Sequence, residues 1–317
     1  MKAGSSLEQA LEEGRFVATG EVGPPKSVDG EVVRNKARLL KDHVVAANIT
    51  DNQTSVVRMS SIACGLLLLQ EGLEPIVQMT CRDRNRMAIQ SDLLGAATLG
   101  IKNMLCLTGD HTTQGNHPQS KPVFDLDSVQ LTQMVRDMRD EKRFQCGEEL
   151  DPEPRFFIGA VENPFANPLQ FRAVRLAKKV KAGADFIQTQ LIYNIPRFKE
   201  WMKEVRDRGI HEQVYIMAGV GPLRSVNVAR YMRDRVPGMD VPDEVVQRMS
   251  GVERGEAARK EGIKIAVETI QQMREIPGIA GVHIMAVEWE EAVGEIVESA
   301  GLKPLPMRLA ASASSGS

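Results

Sequence analysis

Aromatic residues make up only 4% of this 317-residue chain, which leaves little for the base-stacking platforms of single-strand nucleic-acid binders. Charge of one sign is also missing. Forty basic residues against 42 acidic ones leave a net charge of −2, too little field to hold nucleic-acid phosphates or an anionic membrane. The four cysteines (Cys64, Cys81, Cys106, Cys146) are scattered without a Cys-x-x-Cys pair, so neither a disulfide framework nor a closed zinc site is expected. His111 and His117 flank Gly115 at a spacing that no familiar metal site uses, and are read as loop histidines. Long hydrophobic runs are absent too. The longest, residues 62–69 with one glycine inside, falls well short of the roughly 20 residues a membrane-spanning helix needs. Met1 to Ser6 lacks the apolar core of a signal peptide, so the expectation is a cytoplasmic protein with no membrane and no nucleic-acid partner.

What is present is an ordinary soluble balance, 42% hydrophobic and 26% charged, with ample length for a large core. No Pro/Ser/Gly-rich linker divides the chain. One domain is expected over residues 1–306, followed at 307–317 by an Ala/Ser-rich flexible end or expression remnant. Short apolar runs at 16–22, 44–49, 75–80, 103–107, 156–160, 186–190, 213–218 and 281–286 read as strands. Several are continuous rather than alternating, as strands buried on both faces require. Stretches of helical periodicity separate them, at 29–41, 60–70, 86–99, 128–140, 170–182, 196–208, 225–235 and 290–300, with an additional helix at 255–273. Ser128 is the expected N-cap of its helix, and Gly183 a C-cap. Most strand starts lie about 30 residues apart, the length of a βαβ unit. Eight such units predict a closed (β/α)8 TIM barrel. An open doubly wound sheet is the runner-up, but no G-x-G-x-x-G follows a strand.

Barrels of this kind carry their chemistry on the loops after the strands. Those positions hold Glu21, Thr50, Asp51, Gln78, Thr80, Thr108, Gly109, Asp110, Glu162, Gln188 and Gln190. The carboxylates Glu21, Asp51, Asp110 and Glu162 would converge on one rim, and a carboxylate among others suits a general acid. Many polar strand ends merely mark the chain leaving the core or cap the next helix. Glu21 stands apart, since it lies inside an apolar strand beside a rigid Gly-Pro-Pro, where a buried carboxylate needs a reason. The run Cys81-Arg82-Asp83-Arg84-Asn85-Arg86 opens a helix on the same rim, and reads equally as a phosphate site or a solvated charge run.

Glu21-Val22-Gly23-Pro24-Pro25 is similar to the Glu-x-x-Pro-Pro opening of methylenetetrahydrofolate reductases. Leu107-Thr108-Gly109-Asp110 resembles their Leu-(Arg/Thr)-Gly-Asp after the fourth strand. Lys179 to Asp185 and Thr189-Gln190 resemble their Lys-x-x-x-Gly-Ala and Thr-Gln. The four motifs occur in order, each at its own strand of the barrel. The resemblance implies FAD-dependent reduction of 5,10-methylenetetrahydrofolate to 5-methyltetrahydrofolate. It makes Glu21 the proton donor and places Asp110 by both flavin and folate. Gln190 would bind the pterin. Thr50, Thr108, Gly109 and Lys179 would hold FAD, Lys179 at the diphosphate, with Asp51, Gln78 and Thr80 beside them on the cofactor side.

Family members that use NADH carry a Gln and a Phe on the helix after the seventh strand, where this chain has Val228 and Met232. Near the eighth strand Leu-Asn-Arg is replaced by Val287-Glu288-Trp289. The chain looks closest to short reductases of anaerobes, which resemble subunits paired with a small iron–sulfur partner. The expectation is therefore an iron–sulfur partner subunit as electron donor, with homo-oligomerisation left open. Two alternatives stand beside it: a flavin barrel acting on another substrate, as in proline dehydrogenase-like enzymes, and a non-catalytic barrel that docks a partner.

Overall fold

All eight expected strands form, and all eight pair in parallel. They are β1 (Val17–Val22), β2 (Ala46–Ile49), β3 (Pro75–Thr80), β4 (Asn103–Leu107), β5 (Phe157–Glu162), β6 (Phe186–Leu191), β7 (Tyr215–Val220) and β8 (Ile279–Ile284). Neighbours in sequence are neighbours in space, and β8 closes onto β1 through Thr19 opposite His283. The result is a closed (β/α)8 barrel rather than an open sheet. The computed structural model describes residues 1–302, so the end of the expected domain and the tail expected at 307–317 lie outside the described residues.

The described residues include the helices α1 (Ser6–Glu12), α2 (Gly30–Leu40), α3 (Ser61–Gln70), α4 (Arg86–Thr98), α5 (Ser128–Arg136), α6 (Arg172–Ala182), α7 (Ile195–Asp207), α8 (Val226–Arg235), α9 (Asp243–Ser250), α10 (Glu256–Arg274) and α11 (Ala292–Ser299). The helix formers are patterned to bury one face; Val33, Ala37 and Leu40 of α2 pack under it at 0% exposure. Their ends follow from capping chemistry. Asp127, not the expected Ser128, caps α5: its carboxylate accepts from the N–H groups of Val129 and Gln130, and Gln130 reaches back to complete a capping box. Gly183 closes α6 at φ +112°, a conformation that costs a residue with a Cβ. Two short helices, α1 and α9, were not legible in the apolar periodicity.

Helix α1 has a specific job. Its Leu7, Ala10 and Leu11 pack with Val17, Ala46, Ile76, Leu105, Phe157, Phe186 and Met217, mostly residues near the starts of strands. It therefore plugs the N-terminal end of the barrel. Glu8 accepts hydrogen bonds from the N–H groups of Ala3 (2.9 Å) and Gly4 (2.7 Å), and Glu74 from those of Ser6 (2.7 Å) and Leu7 (3.1 Å). These carboxylates meet the helix N-terminus, where unpaired N–H groups and the dipole favour negative charge. With that end filled by apolar side chains, space for a ligand is found at the C-terminal ends of the strands.

Candidate active site

At that C-terminal end lies an open cavity of about 400 Å3. Its walls come from successive strands: Glu21 from β1, Asn48 from β2, Gln78 and Thr80 from β3, Glu162 from β5, Gln188 and Gln190 from β6. Thr108, Gly109 and Asp110 from the loop after β4, Arg175 and Lys179 from α6, and His283 from β8 complete it. Gln188, Thr189 and Gln190, at the C-terminal end of β6 where its register with β7 shifts, all line the cavity.

The floor is a connected polar layer in an otherwise apolar barrel. Asn48 and Gln188 exchange carboxamide hydrogen bonds, Asn48 Nδ2 to Gln188 Oε1 at 2.6 Å and Gln188 Nε2 to Asn48 Oδ1 at 3.1 Å. Gln188 Nε2 also donates to Thr19 Oγ1 at 3.3 Å. Thr19 Oγ1 lies 3.1 Å from His283 Nδ1, and its hydroxyl has the carbonyl of Val282 at 3.5 Å. His283 Nε2 in turn lies 3.6 Å from Glu21 Oε2. Thr19, Asn48, Gln188 and His283 are at most 3% exposed. Burying this many polar groups is tolerable only because they satisfy one another. Glu21, at the upper end, is not fully buried as expected: its side chain keeps 18% exposure and faces the cavity.

Each expected site residue has a definite place. Gln78 and Gly109 line the cavity; Gly109 adopts φ +91°, and a Cβ there would come within 3.0 Å of Thr80 Cβ. Thr108 Oγ1 accepts from the N–H of Ser128 at 3.1 Å, tying the wall to the start of α5. Gln190 turns its Oε1 onto the N–H of Leu191 at 2.9 Å. Asp110 sits exposed at the lip, accepting from the N–H of Thr54 at 3.1 Å. Asp51 is buried and fully engaged, with Thr80 N–H and Oγ1 both at 2.9 Å and Arg84 at 2.8 Å. Thr50 does not line the cavity; its hydroxyl is bonded to Gln53. Lys179 does line it, but is 4% exposed, and its Nζ is 3.0 Å from Glu162 and also bonded to the carbonyl of Val161. Burial holds the Lys179 ammonium below its ordinary pKa, partly opposed by Glu162.

The arginine run is likewise committed within the protein. Arg82 pairs with Asp83, Arg84 with Asp51 and Asp92, and Arg86 with Asp125. Arg82, 2% exposed, also donates to the carbonyls of Asp110 and Asn52 at 3.2 Å, stitching together the loops after three strands. These arginines build the rim. Among the described residues Arg175 makes no ion pair, and it is the exposed-side cation of the cavity wall. No group of histidine, cysteine, aspartate and glutamate among the described residues is arranged to hold a metal ion. Sequence reasoning missed His283, Asn48 and Arg175. The first two had a signal, a polar residue inside an apolar strand, but only closure of the barrel gives them partners.

A closed barrel with a polar cavity at the C-terminal end of its strands and a carboxylate–imidazole pair on the floor defines a (β/α)8 enzyme-type site. The particular family follows from comparison. The family model for methylenetetrahydrofolate reductase matches residues 6–301, and the chain belongs to that family. A 5,10-methylenetetrahydrofolate reductase from Salmonella typhimurium is 22% identical over 306 residues, covering 94% of this chain and 96% of that protein. A probable methylenetetrahydrofolate reductase (NADPH) of Caenorhabditis elegans is 23% identical over 310 residues, 93% of this chain but 44% of its own length. The chain thus spans about half or less of the length of the eukaryotic relatives it matches. Among solved structures, a Clostridium thermocellum protein described as binding two copies of 5-methyl-5,6,7,8-tetrahydrofolic acid shares the fold. Its TM-score is 0.65 at 13% identity, covering 92% of this chain and 98% of that one. No helix among the described residues is long and apolar enough to cross a membrane.

Proposed function

We propose that this chain reduces 5,10-methylenetetrahydrofolate to 5-methyltetrahydrofolate, with FAD as its redox cofactor. The observation that carries this reading is the Glu21–His283 pair at the cavity floor, backed by Thr19, Gln188 and Asn48. Opening the folate's five-membered ring requires one nitrogen to gain a proton as its bond to the bridging carbon breaks. That carbon must then gain a hydride, which FAD supplies when bound and reduced. The proton falls to this chain. When the Thr19 hydroxyl donates to Val282, its lone pairs accept from Gln188 and from His283 Nδ1–H, leaving the Nε2 lone pair toward Glu21. The imidazole, 3.6 Å from Glu21 Oε2, orients the carboxyl at the cavity, where a general acid must stand to meet the folate nitrogen. Gln190 and Asp110 would orient the pterin above it.

The residues present fit an FAD. Gly109, where a Cβ would come within 3.0 Å of Thr80 Cβ, lines the cavity beside Gln78, Thr80 and Thr108, neutral hydrogen-bonding groups suited to the flavin ring. Arg175 supplies a cation for the diphosphate. Thr50 is left out of this assignment because it does not line the cavity, and Asp51, which does line it, fixes Thr80 and Arg84 by hydrogen bonds. The test is Glu21→Gln. The variant should bind FAD and accept electrons from dithionite, yet lose folate turnover by about 10²–10⁴-fold, the range for loss of a general acid. Undiminished turnover would sink the role of Glu21.

For the electron donor we infer a partner protein with an iron–sulfur centre. Val228 and Met232 on α8 pack into an apolar cluster with Leu191, Leu223 and Met285 instead of offering polar groups to a nicotinamide. Exposed apolar side chains also gather on the loops and first turns after the strands: Val28, Val57, Met87, Val123, Leu169, Phe171 and Val287. Such a rim suits protein docking over the cavity mouth. Rapid NADH oxidation by the purified chain with methylenetetrahydrofolate as acceptor would refute it. Neither a proline dehydrogenase-like substrate nor a non-catalytic barrel gains support from the family to which the chain belongs.

A further inference from the structure

A lysine stands inside the buried stripe of α2. Val33, Ala37 and Leu40 are wholly buried, and Lys36, one turn after Val33 and one before Leu40, shares their face. Its Nζ donates to Glu290 Oε1 at 2.6 Å and to the carbonyl of Gly23 at 3.4 Å. The Glu290 side chain, 7% exposed, belongs to the loop after β8, and Gly23 follows the end of β1. One ammonium thus joins the loops on either side of the seam where the barrel closes. The seam needs joining there. The β1–β8 ladder stops at Thr19 opposite His283. Above that level β1 runs on against β2, through Val22 opposite Ile49, and β8 against β7, through Ile284 opposite Val220. Glu21 therefore stands beyond the last backbone pair tying its strand to that of His283, yet meets the imidazole at 3.6 Å. Among the described residues the other ion pair between α2 or its flanks and the last helix is His43 with Glu298 at 3.8 Å, near the opposite end of the barrel. The turn carrying Glu290 is held from its other side as well. Arg224 donates to the carbonyls of Val287 at 3.0 Å and Glu288 at 3.3 Å, and Glu288 adopts φ +51°, a left-handed conformation unusual for a residue with a Cβ.

We propose that Lys36 and Glu290 form a clasp across the upper end of the closing seam, and that by fixing the loops after β1 and β8 they position Glu21 against His283. They are positioning residues, since neither lines the cavity. The inference rests on the reading of Glu21 as proton donor for its effect on turnover, but not for the geometry itself. An ion pair this buried adds little net stability, because desolvation offsets its attraction. What it supplies is register: the charge-assisted contact with Glu290 and the bond to the Gly23 carbonyl fix one placement of the two loops. Misplacing a reacting group by about 1 Å costs on the order of 10²-fold in rate, so loss of the clasp should appear in turnover rather than in binding.

The experiment compares full-length wild-type protein with the charge-free double variant Lys36→Met/Glu290→Gln, both incubated with FAD. The double variant is chosen because Lys36→Met alone strands a buried carboxylate and endangers folding. Methylenetetrahydrofolate turnover is measured beside the 15N resonances of the His283 imidazole, assigned by their loss in His283→Gln. The double variant should lose about ten-fold or more in kcat with KM within about three-fold, while dithionite reduces its flavin as in wild type. Its His283 resonances should move. Lys36→Arg, which keeps the charge beside Glu290, should recover most of the lost kcat, and no recovery there would count against the clasp. Wild-type kcat in the folded double variant would overturn the proposal, as would unmoved His283 resonances or a loss confined to KM. A double variant that does not fold would make the pair a stability element and overturn it too. Absence of folate turnover in the wild-type protein, with the His283 resonances still moving in the double variant, would instead overturn the folate reading and leave the clasp standing.

Discussion

Replacing Gln188 by leucine is the sharpest probe of the cavity floor, because it changes hydrogen bonding with little change in volume. Among the described residues Gln188 is the sole hydrogen-bonding partner of both ends of the Asn48 carboxamide, accepting from Nδ2 at 2.6 Å and donating to Oδ1 at 3.1 Å. Asn48 is 0% exposed, so neither group can turn to water. Each buried polar group left unmet costs about 1–3 kcal/mol, so the two together predict a loss of about 2–6 kcal/mol. Thr19 loses a donor too, but retains His283 and the Val282 carbonyl. Changing Asn48 to leucine as well removes the stranded groups. The double variant should therefore be more stable than Gln188→Leu alone, with a coupling of about 1–3 kcal/mol. Urea unfolding followed by circular dichroism measures both. Strict additivity, or a Gln188→Leu loss below about 0.5 kcal/mol, would refute the reciprocal pair.

Further expectations follow from other parts of the molecule. Burial pushes the thiols of Cys64, Cys81 and Cys106 up to about 12 from a usual 9.0. Between those values the unfolded chain releases protons that the folded chain keeps, so stability present below pH 9 is lost as pH rises toward 12. Cys64→Ala should flatten that decline, and identical slopes of urea midpoint against pH for the two proteins would contradict it. Leu7→Ala should cost about 2–5 kcal/mol by opening the barrel plug, while leaving flavin binding intact in the folded protein. A loss within 0.5 kcal/mol would show that α1 is not part of the core. At Gly262 of α10 a Cβ would come within 1.8 Å of the Leu223 carbonyl oxygen, a backbone atom that cannot step aside. Gly262→Ala should therefore lower the thermal midpoint measurably, by a loss of about 1–3 kcal/mol, and an unchanged midpoint would count against this packing.

The barrel was legible because its signal repeats. Parallel strands buried on both faces must be short and apolar, and each return helix must carry a 3.6-residue stripe, so eight units state the same architecture eight times. The motifs around Glu21, Thr108 to Asp110, and Thr189-Gln190 lie at strand ends, where a single chain direction already implies a shared rim. Helices α1 and α9 escaped because each is only seven or eight residues long and its apolar residues pack against distant elements rather than repeating locally.

Sequence by itself therefore determined the fold class, the rim and the identity of residues such as Glu21 that stand on it, since strand polarity and side-chain alternation are local properties. Tertiary structure decided which of those residues are available. Lys179 and Arg175 are one helical turn apart and chemically alike, yet a buried Glu162 claims one of them. Asp51 is spent on Arg84 and Thr80, and Thr50 does not line the cavity. His283 reaches Glu21 from 262 residues farther along the chain. Electrostatic and hydrogen-bond partners are set by distance in space, and closing the last strand onto the first creates distances that spacing in sequence does not encode.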